Sequence, residues 1–218
     1  MTVALDPLAA ALPAAAVRPK PALRGWLHAT AFAGWLVLGA WLVALAPDGL
    51  ATFATAVHAA SLALLFGISG LYHTPMWRPG PRLFLKRLDH AAIFVLIAGT
   101  YTPICLLALP AATGHPLLAW VWAGAAAGVV QSVLWPKAPR ALTVALYLAL
   151  GWAIVPQWQA VSAALGGTVL GLIGAGGVLY SLGALVYARR WPDPAPRIFG
   201  YHEIFHACVV IAAALHVV

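Results

Sequence analysis

The stretch SGLYHTPMWRPGPRLFLKRLDHAAIFVLIAGTYTP, residues 69–103, contains an apolar run ending at His73, a bridge rich in proline and arginine, and a second apolar run opening around Asp89. A helix needs about 20 mainly apolar residues to cross the hydrocarbon core of a bilayer. The run over 88–109 is that long, and the bridge before it holds Arg78, Arg82, Lys86 and Arg87. Read outward in both directions, the same alternation predicts helices at 25–46, 51–73, 88–109, 117–135, 141–157, 163–188 and 200–218. Pro47, Pro75, Pro110, Pro116, Pro136 and Pro192 fall between these runs, as residues that cannot continue a helix should. Only Pro103 and Pro156 fall within or at the end of a run, where neighbouring helices can satisfy the freed carbonyl.

Composition agrees with that division. Of 218 residues, 63% are hydrophobic and 8% charged, against roughly 45–50% and about 25% in a soluble domain. The mean hydropathy of +0.93 excludes a soluble enzyme and a disordered chain. The expected fold is an all-α membrane protein, a seven-transmembrane-helix bundle. Residues 1–24 are expected to be a short cytosolic tail and residues 25–218 a single membrane domain. The N-terminus has no basic segment before its apolar stretch and is interrupted by Pro7 and Pro13, which argues against a cleaved signal peptide.

A net charge of +7 would suggest nucleic acid in a soluble chain. Here the basic residues sit between apolar runs, so they point to membrane orientation and no nucleic-acid partner is expected. Arg18, Lys20 and Arg24 precede the first run; Arg78, Arg82, Lys86 and Arg87 follow the second; Lys137 and Arg140 follow the fourth; Arg189, Arg190 and Arg197 follow the sixth. The alternate connections, near Asp48, His115 and Gln159, carry no Lys or Arg. By the positive-inside rule this predicts an N-in, C-out topology. Trp26, Trp77, Trp135 and Trp191 at one set of run ends, and Trp120, Trp122 and Trp158 at the other, fit aromatic belts. Cys105 and Cys208 lie within apolar runs and read as small packing residues. Gly167, Gly171 and Gly174 recur at helical spacing in the sixth run and are expected to admit a neighbouring backbone.

An ionisable side chain within a span costs about 2.5–3.5 kcal/mol on insertion scales, so each requires a reason. His73 ends the second run, Asp89 begins the third, and His202, Glu203 and His206 open the seventh. The topology puts all of them at one depth, near the basic ends of the helices. His202 and His206 are four residues apart and share a helix face, as do Ser69 and His73. Three imidazoles and a water make a tetrahedral zinc site with an open position, the arrangement of catalytic zinc. In that reading His73, His202 and His206 bind Zn2+, Asp89 holds the water or takes its proton, and Ser69 donates a hydrogen bond nearby or to a substrate carbonyl. His28, His58, His90, His115 and His216 read instead as interfacial or hydrogen-bonded residues.

HEIFH, residues 202–206, also fits H-E-x-x-H, in which the Glu is the general base of a metalloprotease. The third ligand of the soluble enzymes is missing, since position 212 is Ala212 and no Glu follows. Glu203 is accordingly expected to be a rim residue or a partner of the ligands, with an intramembrane metalloprotease as an alternative.

The segments SGLYHTPMWRP (69–79), LKRLDHAAIFVLIAGTYTP (85–103) and HEIFHACVV (202–210) resemble the hemolysin III family, the bacterial branch of the progestin and adipoQ receptor superfamily that includes the adiponectin receptors. The likeness covers roughly residues 20–218. It implies seven helices, N-in and C-out, in a bacterial plasma membrane, with zinc near the cytoplasmic side on His73, His202 and His206. It also implies that Asp89 contacts the zinc-bound water and that Ser69 stands one turn before the first ligand. Eukaryotic relatives are associated with hydrolysis of the amide of ceramide, and bacterial members are named for haemolysis and linked to membrane homeostasis. The long N-terminal domain of the receptors has no counterpart here, so hormone or adaptor binding is not carried over.

The expected function is zinc-dependent hydrolysis of a lipid amide or ester at the inner leaflet, with a membrane lipid as partner. One alternative is a non-enzymatic regulator of membrane state, or a haemolysin, with structural zinc. A proton-linked carrier is weakened because the acids gather at one end and form no relay across the membrane.

Overall fold

The computed structural model describes residues 20–47 and 49–217. The tail expected over 1–24 therefore falls largely outside the described residues. Eight α-helices follow in order among the described residues: α1 (Trp26–Leu45), α2 (Gly49–His73), α3 (Pro79–Pro103), α4 (Ala111–Leu134), α5 (Arg140–Gly151), α6 (Trp158–Ala164), α7 (Gly167–Arg189) and α8 (Tyr201–Leu215). By length and apolar content α1, α2, α3, α4, the α5–α6 pair and α7 can each cross a membrane. With the shorter apolar α8 they make a seven-helix membrane bundle. At 1.5 Å per residue the 15 residues of α8 reach about 22 Å, less than the bilayer core of about 30 Å. Its first turn already lies inside the protein, where His202 and Glu203 are buried.

The third helix begins at Pro79 and not at 88. Pro79 is suited to a first helical position, where an N–H would have no partner. Arg82, Lys86 and Arg87 are thus helical, and Asp89 sits in the third turn instead of opening the helix. Likewise α4 begins at Ala111, after Pro110, so Pro116 is inside it; the small and polar residues Thr113, Gly114 and His115 had read as a connection. The fifth run stops at Gly151, passes through a 3-10 turn at Val155–Gln157, and resumes as α6, where a loop was expected around Gln159. Tyr101 holds this break: its hydroxyl donates to Gly151 O at 2.7 Å and accepts from Ile154 N at 3.0 Å. Irregular backbone at membrane depth persists only where protein satisfies it in this way. At Pro103 the third helix passes into a π segment, Ile104–Ala108.

The core has two parts that meet along α3. Trp35, Leu62, Leu65, Phe66, Ala92, Leu96, Val209 and Ala213 join α1, α2, α3 and α8. Phe94, Ala98, Tyr101, Val121, Ala125, Leu150 and Val161 join α3 to α4, α5 and α6. Close approach of α1 to α2 depends on Gly70, where a Cβ would stand 3.0 Å from Ala29 Cα. The expected packing role of Gly167, Gly171 and Gly174 is not found: a Cβ at any of them would meet open space. The glycines that seat α8 on α7 lie further along, at Gly176, facing His216, and Gly183, facing Cys208. Cys105 is buried in the core and neither cysteine is bonded to another. Trp26, Trp120, Trp135, Trp158 and Trp191 are more than half exposed on the outside of the bundle, as belt residues should be.

Candidate metal centre

The basic connections converge on one end of the bundle, around the mouth of a cavity of about 1490 Å³. That volume exceeds the usual small-molecule pocket of about 300–1,000 Å³. Its lining runs from Lys20 and Arg197 at this end, past His73 and Asp89, to Tyr101, Trp152 and Ser181 toward the other end of the helices. The Trp152 indole donates to Ser181 Oγ at 2.9 Å, tying the α5 break to α7.

Two helices deliver three imidazoles to one point on this wall. His73 comes from the last turn of α2, and His202 and His206 come from successive turns of α8. One nitrogen from each lies within 4.8 Å of the others. His73 Nε2 and His202 Nε2 are 3.2 Å apart, with rings inclined at 68°. Zinc–imidazole bonds of about 2.0–2.1 Å in a tetrahedron place ligand nitrogens about 3.3–3.4 Å from each other; the His73–His202 pair stands at that separation, and His206 completes a three-imidazole set able to hold a metal ion. His202 and His206 are buried and His73 is half-buried.

Asp89 Oδ2 lies 3.6 Å from His73 Nε2, so the buried carboxylate stands beside the converging nitrogens. The buried Ser69 hydroxyl is turned toward the same carboxylate. All five residues singled out by the sequence are therefore brought together.

Glu203 is not a rim residue. It is 1% exposed and both of its oxygens are engaged: Arg24 Nε donates to Oε1, and the Gly200 N–H donates to Oε2 at 2.9 Å. Asp193 Oδ1 accepts from Tyr201 N at 3.0 Å, so two carboxylates serve the positive end of α8. The segment before α1 is held across the same end. Ala22 N donates to Arg197 O at 2.9 Å, Lys20 Nζ to Thr74 O at 2.6 Å, and Leu23 N to Ile198 O at 3.2 Å. Gly25 adopts φ 89° with Thr74 and His73 against it; a Cβ there would come within 2.8 Å of His73, so the chain enters α1 over the first histidine.

His28 is the residue that sequence reasoning missed. It is 2% exposed, not interfacial, and its ring stacks on His206 with centroids 3.7 Å apart and planes 3° apart. The available signal was its position, three residues into the first run at the basic end. His58 is buried too, His115 is exposed, and His216 contacts Ile173 O at 3.0 Å.

The family profile described as "Haemolysin-III related" matches residues 17–217, nearly the whole chain. The chain belongs to the haemolysin III family. Among its relatives, the "Hemolysin-3 homolog" of Bacillus subtilis (strain 168) is 34% identical over 158 residues, covering 72% of this chain and 71% of that protein. "Hemolysin-3" of Bacillus cereus is 32% identical over 165 residues, 76% of this chain and 72% of that protein. The haemolysin III match spans all seven helices, so it takes in the three histidines, Asp89 and Ser69 together.

Proposed function

We propose that this haemolysin III protein is a zinc-dependent hydrolase of a lipid amide or ester, working at the cytoplasmic side of a bacterial plasma membrane, with the N-terminus inside. The observation that carries the reading is the meeting of His73, His202 and His206 beside Asp89 on the wall of the large cavity. Structural zinc ordinarily has four protein ligands, whereas three imidazoles leave a position open. Zinc held there supplies Lewis-acid activation of water and of a substrate carbonyl. Asp89 takes the proton that water gives up on attacking the carbonyl carbon and passes it to the departing amine or alkoxide. Ser69, one turn before His73 and turned to Asp89, holds that carboxylate in place; this contact favours the supporting role over donation to the substrate oxygen. The orientation rests on the basic connections, all of which lie at the end where the cavity opens.

The metalloprotease alternative requires Glu203 as a general base, and its contacts with Arg24 and Gly200 N–H oppose that. The name of the Bacillus cereus relative favours a second reading, membrane lysis. The deciding experiment incubates purified, zinc-replete protein with ceramide and with acyl esters and measures released fatty acid by mass spectrometry. Release that chelation and Asp89→Asn both abolish supports hydrolysis. Lysis of erythrocytes without release from any lipid would favour the second reading.

A further inference from the structure

The cations at the cavity mouth differ in what they are free to hold. Arg24 is matched by Glu203, while Lys20 and Lys86 donate to the carbonyls of Thr74 and Pro136. Arg82, Lys137, Arg140, Arg190 and Arg197 also line the cavity and have no carboxylate partner among the described residues; of these, Arg82 and Arg140 each stand one tyrosine away from the histidine triad. The Arg140 guanidinium lies 4.7 Å from the centre of the Tyr187 ring and gives one N–H to Tyr187 O at 3.3 Å, which leaves most of its five donors free. The Tyr187 ring in turn meets His202 edge-on, with centroids 5.7 Å apart. Across the cavity Arg82 lies beside the Tyr72 hydroxyl, and the Tyr72 ring is 4.4 Å from that of His73. Each arginine is thus separated by one tyrosine from a histidine of the triad, on α3 and on α5, and both line the cavity.

Orientation in the membrane explains why basic residues lie at this end, but it is satisfied by any position in a connection. Arg82 and Arg140 instead occupy the first turns of their helices, where the macrodipole opposes a cation. A guanidinium with free, coplanar donors matches the oxyanion of a phosphate or carboxylate.

We infer that the lipid acted on carries an anionic head group, which Arg82 and Arg140 hold at the mouth next to the histidine triad. The inference rests on the hydrolase reading of that triad and adds the charge class of its substrate. An anionic phospholipid is the source the membrane supplies; free phosphate has the same chemistry.

The test uses the full-length chain, delipidated in a neutral detergent and replete in zinc, with a fluorescent phosphatidylglycerol as probe. Unlabelled phosphatidylglycerol, phosphatidylcholine and inorganic phosphate compete for binding, read by anisotropy, and zinc is measured in each sample. Phosphatidylglycerol is expected to compete about tenfold better than phosphatidylcholine, with phosphate far weaker. The preference should fall to near parity in Arg82→Gln/Arg140→Gln and persist in part in Arg82→Lys/Arg140→Lys. Arg78→Gln/Arg189→Gln, which removes the same charge outside the cavity, should keep it. Equal competition by the two lipids overturns the inference, and so does an equal loss in the Arg78/Arg189 variant. Phosphate competing as well as the lipid would assign the arginines to a free anion and overturn the lipid assignment. The wild-type comparison decides even where a variant does not fold. No lipid preference in protein that holds zinc sinks this inference alone; a preference in protein that binds no zinc sinks the hydrolase reading alone.

Discussion

The imidazole of His28 stacks face to face on that of His206, with centroids 3.7 Å apart and planes 3° apart, while His73 and His202 meet His206 at steep angles. A ring clamped on one face keeps its nitrogen aimed at the point shared with the other two. His28→Phe should therefore preserve metal binding, and His28→Ala should weaken it about 10- to 100-fold, the scale of a lost supporting contact at a metal ligand. Competition with a zinc-sensitive dye measures both affinities, and equal loss in the two variants would mean that His28 acts through its nitrogens.

Arg24 lies over the buried Glu203. Removing one member of a buried ion pair costs about 3–5 kcal/mol because the other is left uncompensated, so Arg24→Ala should markedly lower the thermal unfolding midpoint. Glu203→Gln keeps an oxygen for Gly200 N–H and should leave lipid hydrolysis largely intact. Turnover that dies in Glu203→Gln but survives Asp89→Asn would restore the metalloprotease assignment.

Tyr101 supplies two hydrogen bonds to the break in the fifth span, from another helix. Tyr101→Phe leaves a carbonyl and an N–H unsatisfied, at about 1–3 kcal/mol each. The expected result is a lower midpoint of thermal unfolding with zinc content unchanged, whereas an unchanged midpoint would mean that water replaces the hydroxyl.

The orientation is tested with single cysteines in a Cys105→Ala/Cys208→Ala background. His115→Cys, at the exposed start of α4, should react with an impermeant thiol reagent from outside intact cells, and Arg197→Cys should not. Labelling at 197 and not at 115 would turn the bundle over.

Helix number, and the basic end shared by the polar residues, are legible in the sequence because a bilayer imposes run length and charge alternation on each segment independently of its neighbours. For the same reason the triad is legible: the four-residue spacing of His202 and His206 and the depth of His73 are local properties. Arginines made the first turns of α3 resemble a connection, although Pro79 is a helix-starting residue. The fifth span's break is held by Tyr101 from another helix, and no local signal at Gly151 announces that. His28 is not legible as a site residue, because a lone imidazole near a helix end has no meaning until α1 is placed against α8. Engagement of Glu203 Oε1 is equally tertiary, since Arg24 lies 179 positions away in the chain, whereas Oε2 meets Gly200 N–H three residues away, at the start of its own helix.

The central claim is that His73, His202 and His206 form one zinc site, and elemental analysis of purified protein tests it most directly. Wild type, His58→Ala and His216→Ala should each retain about one zinc per chain, while His73→Ala, His202→Ala and His206→Ala should each lose most of it, because two imidazoles make too small a ligand set. Zinc retained equally by all five variants, or absent from wild-type protein purified without chelators, would contradict the account.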